Sequence, residues 1–394
     1  MLRNMFSSRI PVHQLENQLT QLRKQLDAEG ADVIDLTESN PTRVGFDYSP
    51  KLLKAFSSPR NLVYTPASFG LMEARTAVAE YLSRNERQIN PDRVVLTATT
   101  SEAYSSLFKL LCNPGDRVLV PEPSYPLLEH LARLDGVEPV PYRLVFHGRW
   151  EIDLGSLSAA MEHGVRVLIA VSPNNPTGSY LSSADYKVLQ RACRRHHCAL
   201  IVDEVFSGYP INTTVPETSV LDNSSEVLTF CLGGLSKAVG LPQVKLSWFV
   251  VGGVDSDVES ALRALGFVMD TYLSVSTPVQ LATPDLLSSG QALASQIRQR
   301  VIGNFIGLQR LVKTFPSVSL LPVEGGWYAV IQVPALCSEE QLVIRLLREE
   351  YVHLHPGYFF DFPKGVFLVV SLLPPIDRFS YAMAKVFASA TKME

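Results

Sequence analysis

The sequence predicts an α/β protein with two parts: a large domain built on a mostly parallel sheet covered by helices, and a smaller α+β domain. From Arg93 to Val202, short apolar runs alternate with stretches of helical composition, the pattern of βαβ units. The runs are apolar throughout, as expected of strands whose two faces are both covered. A chain of 394 residues is long for one core and favours two domains.

The composition is that of a packed protein. Apolar residues make up 46% and charged residues 19% of the chain, a balance that excludes extended disorder. A net charge of -4 gives no general attraction for nucleic acid or for an anionic membrane. No apolar run is long enough to span a bilayer, and residues 1–10 lack the apolar core of a signal peptide. We therefore expect a cytoplasmic protein with no nucleic-acid or membrane partner.

The cysteines fit that compartment. Their number is odd, their spacings are wide and no Cys-x-x-Cys pair occurs, which favours reduced thiols over disulfides and predicts no metal site. They are Cys112, Cys193, Cys198, Cys231 and Cys337. Metal binding by His196 and His197, which are flanked by arginines, is a minor alternative.

The first predicted element is an amphipathic helix. Leu15, Leu19, Leu22 and Leu26 recur at spacings of four, three and four, and Gly30 is a plausible stop. We expect this helix to dock on the smaller domain.

The remaining elements follow in order along the chain. The sequence predicts strands at 33–36, 94–97, 118–120, 165–171, 199–202 and 227–230, with helices at 71–83, 101–111, 125–134 and 183–196. After Val251 the sequence predicts helices 257–272 and 292–315, then strands 328–331 and 367–370 around a helix at 339–349. We assign residues 46–290 to the large, cofactor-binding domain, and residues 1–45 and 291–394 to the smaller domain.

Polar residues directly follow several predicted strands, and ligands of parallel sheets bind outside the carboxyl ends of the strands. Thr99, Thr100 and Ser101 open a helix, where hydroxyls and free N–H groups form a phosphate site or an ordinary N-cap. Asp203 ends an apolar strand, and a carboxylate there needs a partner. It could hold a protonated ring nitrogen or cap the next turn.

Three further residues have two interpretations each. Tyr125 could stack on a flat ring or fill the core. Asn175 could contact a ring oxygen or simply form a turn with its neighbours. Tyr64, at the head of a glycine-containing loop, could pack or offer its hydroxyl to a ligand.

Lys237 stands among small residues after the apolar run 227–230, in the segment 232–245. Small neighbours leave space against its amine, and a desolvated lysine amine can form a Schiff base with an aldehyde. Most lysines are solvated surface residues, which is the alternative. Taken together, however, the strand ends supply a phosphate cradle, a stacking aromatic, a carboxylate for a pyridinium nitrogen and an amine. Pyridoxal phosphate requires this set.

The order of these motifs resembles class I/II aminotransferases of pyridoxal-phosphate fold type I, over nearly the whole chain. The segments that carry the resemblance are Tyr64 with its loop, 99–103, 123–126, 172–178, 203–205, 236–237 and 325–326. The Asn-Pro-Thr-Gly, Asp-Glu and Ser-Lys segments are specific in this combination and order.

The resemblance implies an aminotransferase that uses pyridoxal phosphate to move an amino group from an amino acid or amine donor to a 2-oxo acid. In that family, Lys237 would form the Schiff base and shuttle a proton. The other implied roles are Asp203 at the pyridine nitrogen, Asn175 at the ring oxygen, Tyr125 stacked on the ring, and Thr100, Ser101 and Ser236 at the phosphate, beside Thr99. Tyr64 would reach the phosphate of a neighbouring subunit, which implies a homodimer.

Four positions depart from the family pattern. Phe206 replaces a tyrosine that touches the ring oxygen, and Lys245 replaces an arginine on the phosphate, so that the charge remains without the two-pronged geometry. Val369 stands where the family has an arginine that clamps the substrate carboxylate, and Ser39 stands where it often has a glycine. The candidates to replace the clamp are Arg43, Lys364, His355 and Arg378.

Two alternatives stay open at this point. The missing clamp also suits a lyase or decarboxylase on the same scaffold, and a non-catalytic, cofactor-binding regulatory module is less favoured. The aromatic-rich run 353–362 is interpreted as a cap loop over the site, or as plain core packing.

Overall fold

The computed structural model describes residues 7–11, 16–83, 87–162, 164–211, 219–222, 225–273, 275–362 and 365–392. Two residues named above, Leu15 and Lys364, lie outside these ranges.

Strands and helices alternate along much of the described chain. The strands are β1 (Ile34–Asp35), β2 (Val94–Thr97), β3 (Arg117–Glu122), β4 (Glu138–Phe146), β5 (Trp150–Ile152), β6 (Val165–Val171), β7 (Ala199–Asp203), β8 (Thr229–Gly234), β9 (Ser247–Gly252), β10 (Ser319–Leu320), β11 (Tyr328–Val333), β12 (Val352–His353), β13 (His355–Pro356) and β14 (Val366–Ser371).

The α-helices cover these strands. They are α1 (Gln18–Ala28), α2 (Met72–Leu82), α3 (Thr100–Leu111), α4 (Leu127–Leu134), α5 (Leu154–Met161), α6 (Ser183–His196), α7 (Leu235–Ala238), α8 (Asp255–Tyr272), α9 (Thr277–Ser289), α10 (Gln291–Val312), α11 (Glu339–Glu350) and α12 (Ile376–Ala390).

The large sheet has eight strands in the order β2-β9-β8-β7-β6-β3-β4-β5. Its centre, β8 to β4, is parallel, and β2, β9 and β5 pair antiparallel at the two edges. Successive strand residues enter different cores: Leu200 and Val202 pack on one face, Ile201 and Phe230 on the other. Both faces are therefore covered, which is why these strands are continuously apolar. The predicted α/β class with a mostly parallel sheet is confirmed.

The smaller sheet has four antiparallel strands in the order β10-β11-β14-β13. A short parallel pair joins β1, from the N-terminal part of the chain, to β12, which precedes β13 in the sequence. As expected, α1 packs on this part of the molecule, against α11, with Leu19 and Leu26 buried. Nothing in the architecture fixes the domain boundary at residue 46 or 291, which stays a prediction.

Some elements differ from the prediction. The strand expected at 227–230 runs from Thr229 to Gly234, so two glycines belong to it. The sequence pattern also missed β4, β5, β9, α5 and α9. Pro139 and Pro141 interrupt the apolar pattern of β4, and Pro284 lies inside α9, so neither has the usual signature of its element.

Candidate active site

Asp203 lies at the carboxyl end of β7, where it accepts two hydrogen bonds. The Tyr104 hydroxyl donates to Oδ2 at 3.1 Å and the Val205 N–H donates to Oδ1 at 3.1 Å. Burial raises the pKa of Asp203 to about 6, although both hydrogen bonds and Lys237 act to lower it. The sequence analysis missed Tyr104. It follows Thr100 by four residues on α3, and that spacing places both on one helix face.

Lys237 follows β8 directly, on the short helix α7. Its Nζ lies 4.6 Å from the ring centroid of Trp327 and 5.3 Å from that of Phe206. Burial lowers the pKa of Lys237 to about 8, while the charge of Asp203 opposes the shift. The Tyr209 hydroxyl donates to the Lys237 carbonyl oxygen at 2.6 Å and so fixes the backbone there. The lysine is therefore a partly desolvated amine beside a carboxylate, not a solvated surface residue.

The small residues before Lys237 serve a purpose that the sequence did not indicate. A Cβ added at Gly233 would lie 2.5 Å from Nε1 of Trp248, on the antiparallel neighbour β9. Gly233 therefore makes room for the side chain of Trp248 on the neighbouring strand.

The two asparagines after β6 have different surroundings. Asn174 donates through Nδ2 to the Pro123 carbonyl oxygen at 3.1 Å and to Thr177 Oγ1 at 3.0 Å, so it holds the turn together. Asn175 is buried, and its Oδ1 has no hydrogen-bond partner among the described residues. An unpaired buried amide oxygen is unfavourable unless a ligand meets it.

The candidate phosphate site begins at the N-terminus of α3. Thr99 is the N-cap, since its Oγ1 accepts from the Glu102 N–H at 3.0 Å, so the ordinary-cap interpretation holds for this residue. Thr100 and Ser101 are partly exposed in the first turn, and Ser236 is partly exposed on α7. Lys245 is exposed, with a left-handed backbone of φ 61°.

The two candidate tyrosines lie in different places. Tyr125 is 45% exposed and close enough to Asp203 and Tyr328 to interact with both electrostatically. Tyr64 is 72% exposed, lines a surface cleft with Leu273 and makes no hydrogen bond to another described residue. The structure therefore brings Tyr125 to the cleft beside Asp203 and does not bring Tyr64 there.

The position expected to lack a cation does lack one. Val369 is fully buried and lies between Val330 and His355 in the small sheet. Of the suggested replacements, Arg43 is exposed and Arg378 forms an ion pair with Asp32, at 2.6 Å. Among the candidates that the structure describes, His355 is the one that adjoins Val369.

The run 353–362 forms β12, β13 and a 3-10 turn, Gly357–Phe360. The Phe360 carbonyl oxygen accepts from the Ser124 N–H at 3.2 Å, so the turn closes against the segment that carries Tyr125. Two aromatic residues near Lys237 and Tyr125, Trp327 and Tyr328, follow the Gly325-Gly326 pair in the chain. Neither was predicted as a site residue.

These residues fit pyridoxal phosphate. Asp203 offers a buried carboxylate to a protonated ring nitrogen, Asn175 an unpaired oxygen, Tyr125 an exposed ring face and Lys237 a desolvated amine.

Two kinds of feature are absent from the described residues. They contain no cluster of side chains with the composition of a metal site, and none of their helices has the length and apolar character of a membrane span.

Such a cleft on an α/β scaffold defines the class of a pyridoxal-phosphate-dependent enzyme of fold type I. The family model for aminotransferase class I and II matches residues 31–374 of this chain. The chain belongs to the aminotransferase class I and II family. The expected enzyme class, a pyridoxal-phosphate-dependent aminotransferase, is thereby confirmed.

Individual relatives agree with this. The glutamate-pyruvate aminotransferase AlaA of Escherichia coli K12 is 26% identical over 375 residues, which cover 92% of this chain and 91% of that protein. An alanine aminotransferase of Mycobacterium bovis is 25% identical, over 94% of this chain and 86% of its own length. The structure of an E. coli aminotransferase superposes with a TM-score of 0.87 at 23% identity, and the match covers 98% of both chains. An alanine aminotransferase from Pyrococcus furiosus gives 0.85 at 23%, covering 97% of this chain and 99% of that one.

Proposed function

We propose that this aminotransferase holds pyridoxal phosphate on Lys237 and takes the amino group from an amino acid or amine donor. The observation that carries the proposal is the pairing of Lys237 with Asp203, each with a pKa moved by burial toward neutrality. When bound, the cofactor supplies an aldehyde that accepts the amino group and a ring that withdraws electrons from the substrate carbon.

Asp203 and Lys237 have complementary tasks in this proposal. Asp203 keeps a negative charge opposite the ring nitrogen, and Tyr104 and the Val205 N–H orient its carboxylate. Lys237, with a pKa of about 8, is neutral often enough at neutral pH to take a proton from the substrate carbon. With the cofactor bound, the amine would deliver that proton to the cofactor carbon, so that the amino group stays on the cofactor. Trp327 and Phe206 cover Nζ and exclude water from that transfer.

The remaining cofactor contacts are proposed as follows. The N–H and hydroxyl groups of Thr100 and Ser101, with Ser236, bind the phosphate at the start of α3, and Lys245 adds charge. Thr99 contributes by capping the helix. Asn175 meets the ring oxygen and Tyr125 covers the ring face. Phe206 lies close to Nζ but has no hydroxyl, so it offers no hydrogen bond to that oxygen.

The test is a visible absorbance scan of the purified holoenzyme with a panel of amino donors, followed by 2-oxo acid acceptors. We expect donors to bleach the cofactor band and acceptors to restore it. Lys237→Ala should slow both half-reactions at least about 10³-fold, because it removes the proton-transferring amine. Lys313→Ala, which changes an exposed lysine, is the matched control.

Three results would contradict the proposal. They are Lys237→Ala protein that turns over at the parent rate, a protein without a cofactor band even after cofactor is added, and donors that release ammonia or CO₂ without any acceptor. The last result would identify a lyase or decarboxylase on the same scaffold.

We also propose a homodimer in which Tyr64 reaches the neighbouring site. Large apolar side chains around Tyr64 and on α8 are left exposed, among them Phe267 at 79%. Tyr64 and Leu273 line one cleft, and Phe69 and Gly266 line the next, so the exposed surface is continuous. Contiguous apolar patches of this kind mark interfaces.

Hybrid dimers test the reach of Tyr64. Lys237→Ala subunits retain Tyr64, and Tyr64→Ala subunits retain Lys237, so a mixed dimer contains one complete site only if Tyr64 crosses the interface. We expect unfolding and refolding the two proteins together to give more activity than the two separately. Activity equal to their sum, or a monomer in sedimentation, would contradict the proposal.

We also propose a cellular compartment and a division of the chain into domains. We place the protein in the cytoplasm, where its five cysteines, free in the structure, would stay reduced. Cell fractionation tests this assignment. We divide the chain into residues 46–290 and residues 1–45 with 291–394, and limited proteolysis that cuts elsewhere first would argue against that boundary.

A further inference from the structure

One face of the small sheet is turned toward Lys237. Residues directly opposed in antiparallel strands share a face, and so do residues two apart along a strand. Tyr328 opposes Ser371, and the next pair on that face is Val330 with Val369. The Tyr328 ring lies 6.3 Å from that of Phe206, whose centroid is 5.3 Å from the lysine Nζ.

His355 extends this face by one strand, because it opposes Val369 from the other side. Its ring centroid lies 5.7 Å from that of Phe360, the residue whose carbonyl oxygen bonds the Ser124 N–H. The imidazole is therefore one side chain away from the segment that carries Tyr125. It lies on the same sheet face as Tyr328.

The imidazole nitrogen Nδ1 is buried and has no hydrogen-bond partner among the described residues. Burial and, after it, the neighbouring His353 lower the pKa of His355 to about 4, against the opposing effect of Asp35. Asp35 is already engaged by Arg23 at 3.0 Å and by Thr37 at 2.6 Å. His355 is therefore a neutral ring with one unused hydrogen-bonding position.

We propose that His355, backed by the buried Val330 and Val369, forms an uncharged substrate subsite, which receives a neutral hydrogen-bonding group of the amino donor in preference to a carboxylate. The donors that fit are amines whose amino carbon bears a hydroxymethyl, carboxamide or ester group. A carboxylate on this face would lose its water and gain no cation, whereas a neutral polar group would satisfy Nδ1. The proposal rests on the proposed function and specifies its donor.

The experiment compares four donors that share one carbon skeleton: alanine, alaninamide, 2-amino-1-propanol and isopropylamine. The rate of cofactor bleaching is measured on the holoenzyme at pH 7 without an acceptor, so that only the donor half-reaction contributes. We expect the two neutral polar donors to exceed alanine in kcat/KM by at least about tenfold, and to exceed isopropylamine because of the hydrogen bond to Nδ1.

Two variants test the residues. His355→Phe keeps a buried ring and removes both nitrogens, so the ratio of 2-amino-1-propanol to isopropylamine should fall toward one. Val369→Arg adds a cation to the same face and should raise the rate with alanine relative to alaninamide. A ratio that His355→Phe leaves unchanged would overturn the role of His355.

A readout without turnover accompanies these rates. Imidazole ¹⁵N resonances of the holoenzyme should show His355 neutral down to about pH 5 and still neutral when 2-amino-1-propanol is bound. Protonation of His355 on addition of alanine, with alanine the preferred donor, would mean that the histidine serves as a carboxylate-binding cation, and would overturn the proposal.

The failure of this inference is distinguishable from the failure of the proposed function. If alanine bleaches the band faster than both neutral analogues, the subsite is wrong and the aminotransferase stands. If none of the four donors, nor any of the wider panel, moves a band that is clearly present, both are wrong.

Discussion

The two walls of the cleft, one from the large sheet and one from the small sheet, differ in the charge of their side chains. The wall from the large sheet places a carboxylate and an amine close together, Asp203 and Lys237, with pKa values of about 6 and about 8. The wall from the small sheet presents Val330, Val369 and a histidine whose pKa is lowered to about 4. At neutral pH the two groups of the first wall carry opposite charges, and the histidine of the second is neutral.

Burial acts on both walls, and the difference lies in the partners. Desolvation disfavours the charged form of any group. Asp203 keeps its charge because Tyr104, the Val205 N–H and Lys237 oppose the shift. His355 has aromatic neighbours and another histidine, so nothing comparable stabilises its protonated form. Of these three titratable groups, Asp203 and Lys237 carry charge at neutral pH and lie where we propose the chemistry, whereas His355, where we propose donor selection, is neutral.

Among the variants that test this comparison, Asp203→Asn should have the largest effect. Removing the charge opposite the ring nitrogen should lower kcat by about 10²- to 10³-fold, as expected for a positioned electrostatic contact, with little change in the unfolding temperature.

The neighbouring substitution, Glu204→Gln, should lower the stability of the protein and change kcat little. Glu204 is buried and accepts from Tyr186 at 3.0 Å, Ser219 at 2.6 Å and the Val220 N–H at 2.8 Å. Its loss should lower the free energy of unfolding by about 1–3 kcal/mol.

Single-turnover kinetics and thermal unfolding of both variants distinguish the two carboxylates. Asp203 is proposed to act as an anion, so parent activity should also fall as the pH drops below about 6, where Asp203 becomes protonated. Equal losses of activity in both variants at unchanged stability would contradict the proposal that Asp203 is catalytic and Glu204 structural.

The sequence predicted the charged wall far better than the neutral one. Asp203 and Lys237 were identified because each directly follows an apolar run, and parallel strands gather their carboxyl ends at one edge. Tyr104 was missed, since its role depends on how α3 faces the sheet. The juxtaposition of His355, Val369 and Val330 depends on antiparallel register between residues 14 and 39 positions apart in the chain, and no local pattern specifies that register.

The glycines before Lys237 illustrate the same limit of prediction from the sequence. The small residues before Lys237 were correctly noticed, but the sequence did not indicate that Gly233 makes room for Trp248 of β9. That strand itself was not predicted, so the reason for the glycine could not be found without the fold. Local chemistry was predictable at strand ends, and contacts between strands distant in sequence were not.

The smallest effect should come from Tyr104→Phe, which removes one hydrogen bond to the ionised form of Asp203. A carboxylate that loses such a bond has a higher pKa. The acidic limb of the kcat profile should therefore move to higher pH, by up to about one pH unit, since a hydrogen bond contributes about 0.5–1.5 kcal/mol. Activity well above that limb should change little, because Asp203 is then ionised in both proteins.

Tyr142→Phe is the matched control, because it removes a buried hydroxyl that donates to the Ile169 carbonyl oxygen at 3.0 Å instead of to Asp203. Its acidic limb should stay at the parent pH. If Tyr104→Phe leaves the limb in place, or if both variants move it equally, the group that titrates there is not Asp203. The charge of the large-sheet wall would then depend on something other than this carboxylate and its tyrosine.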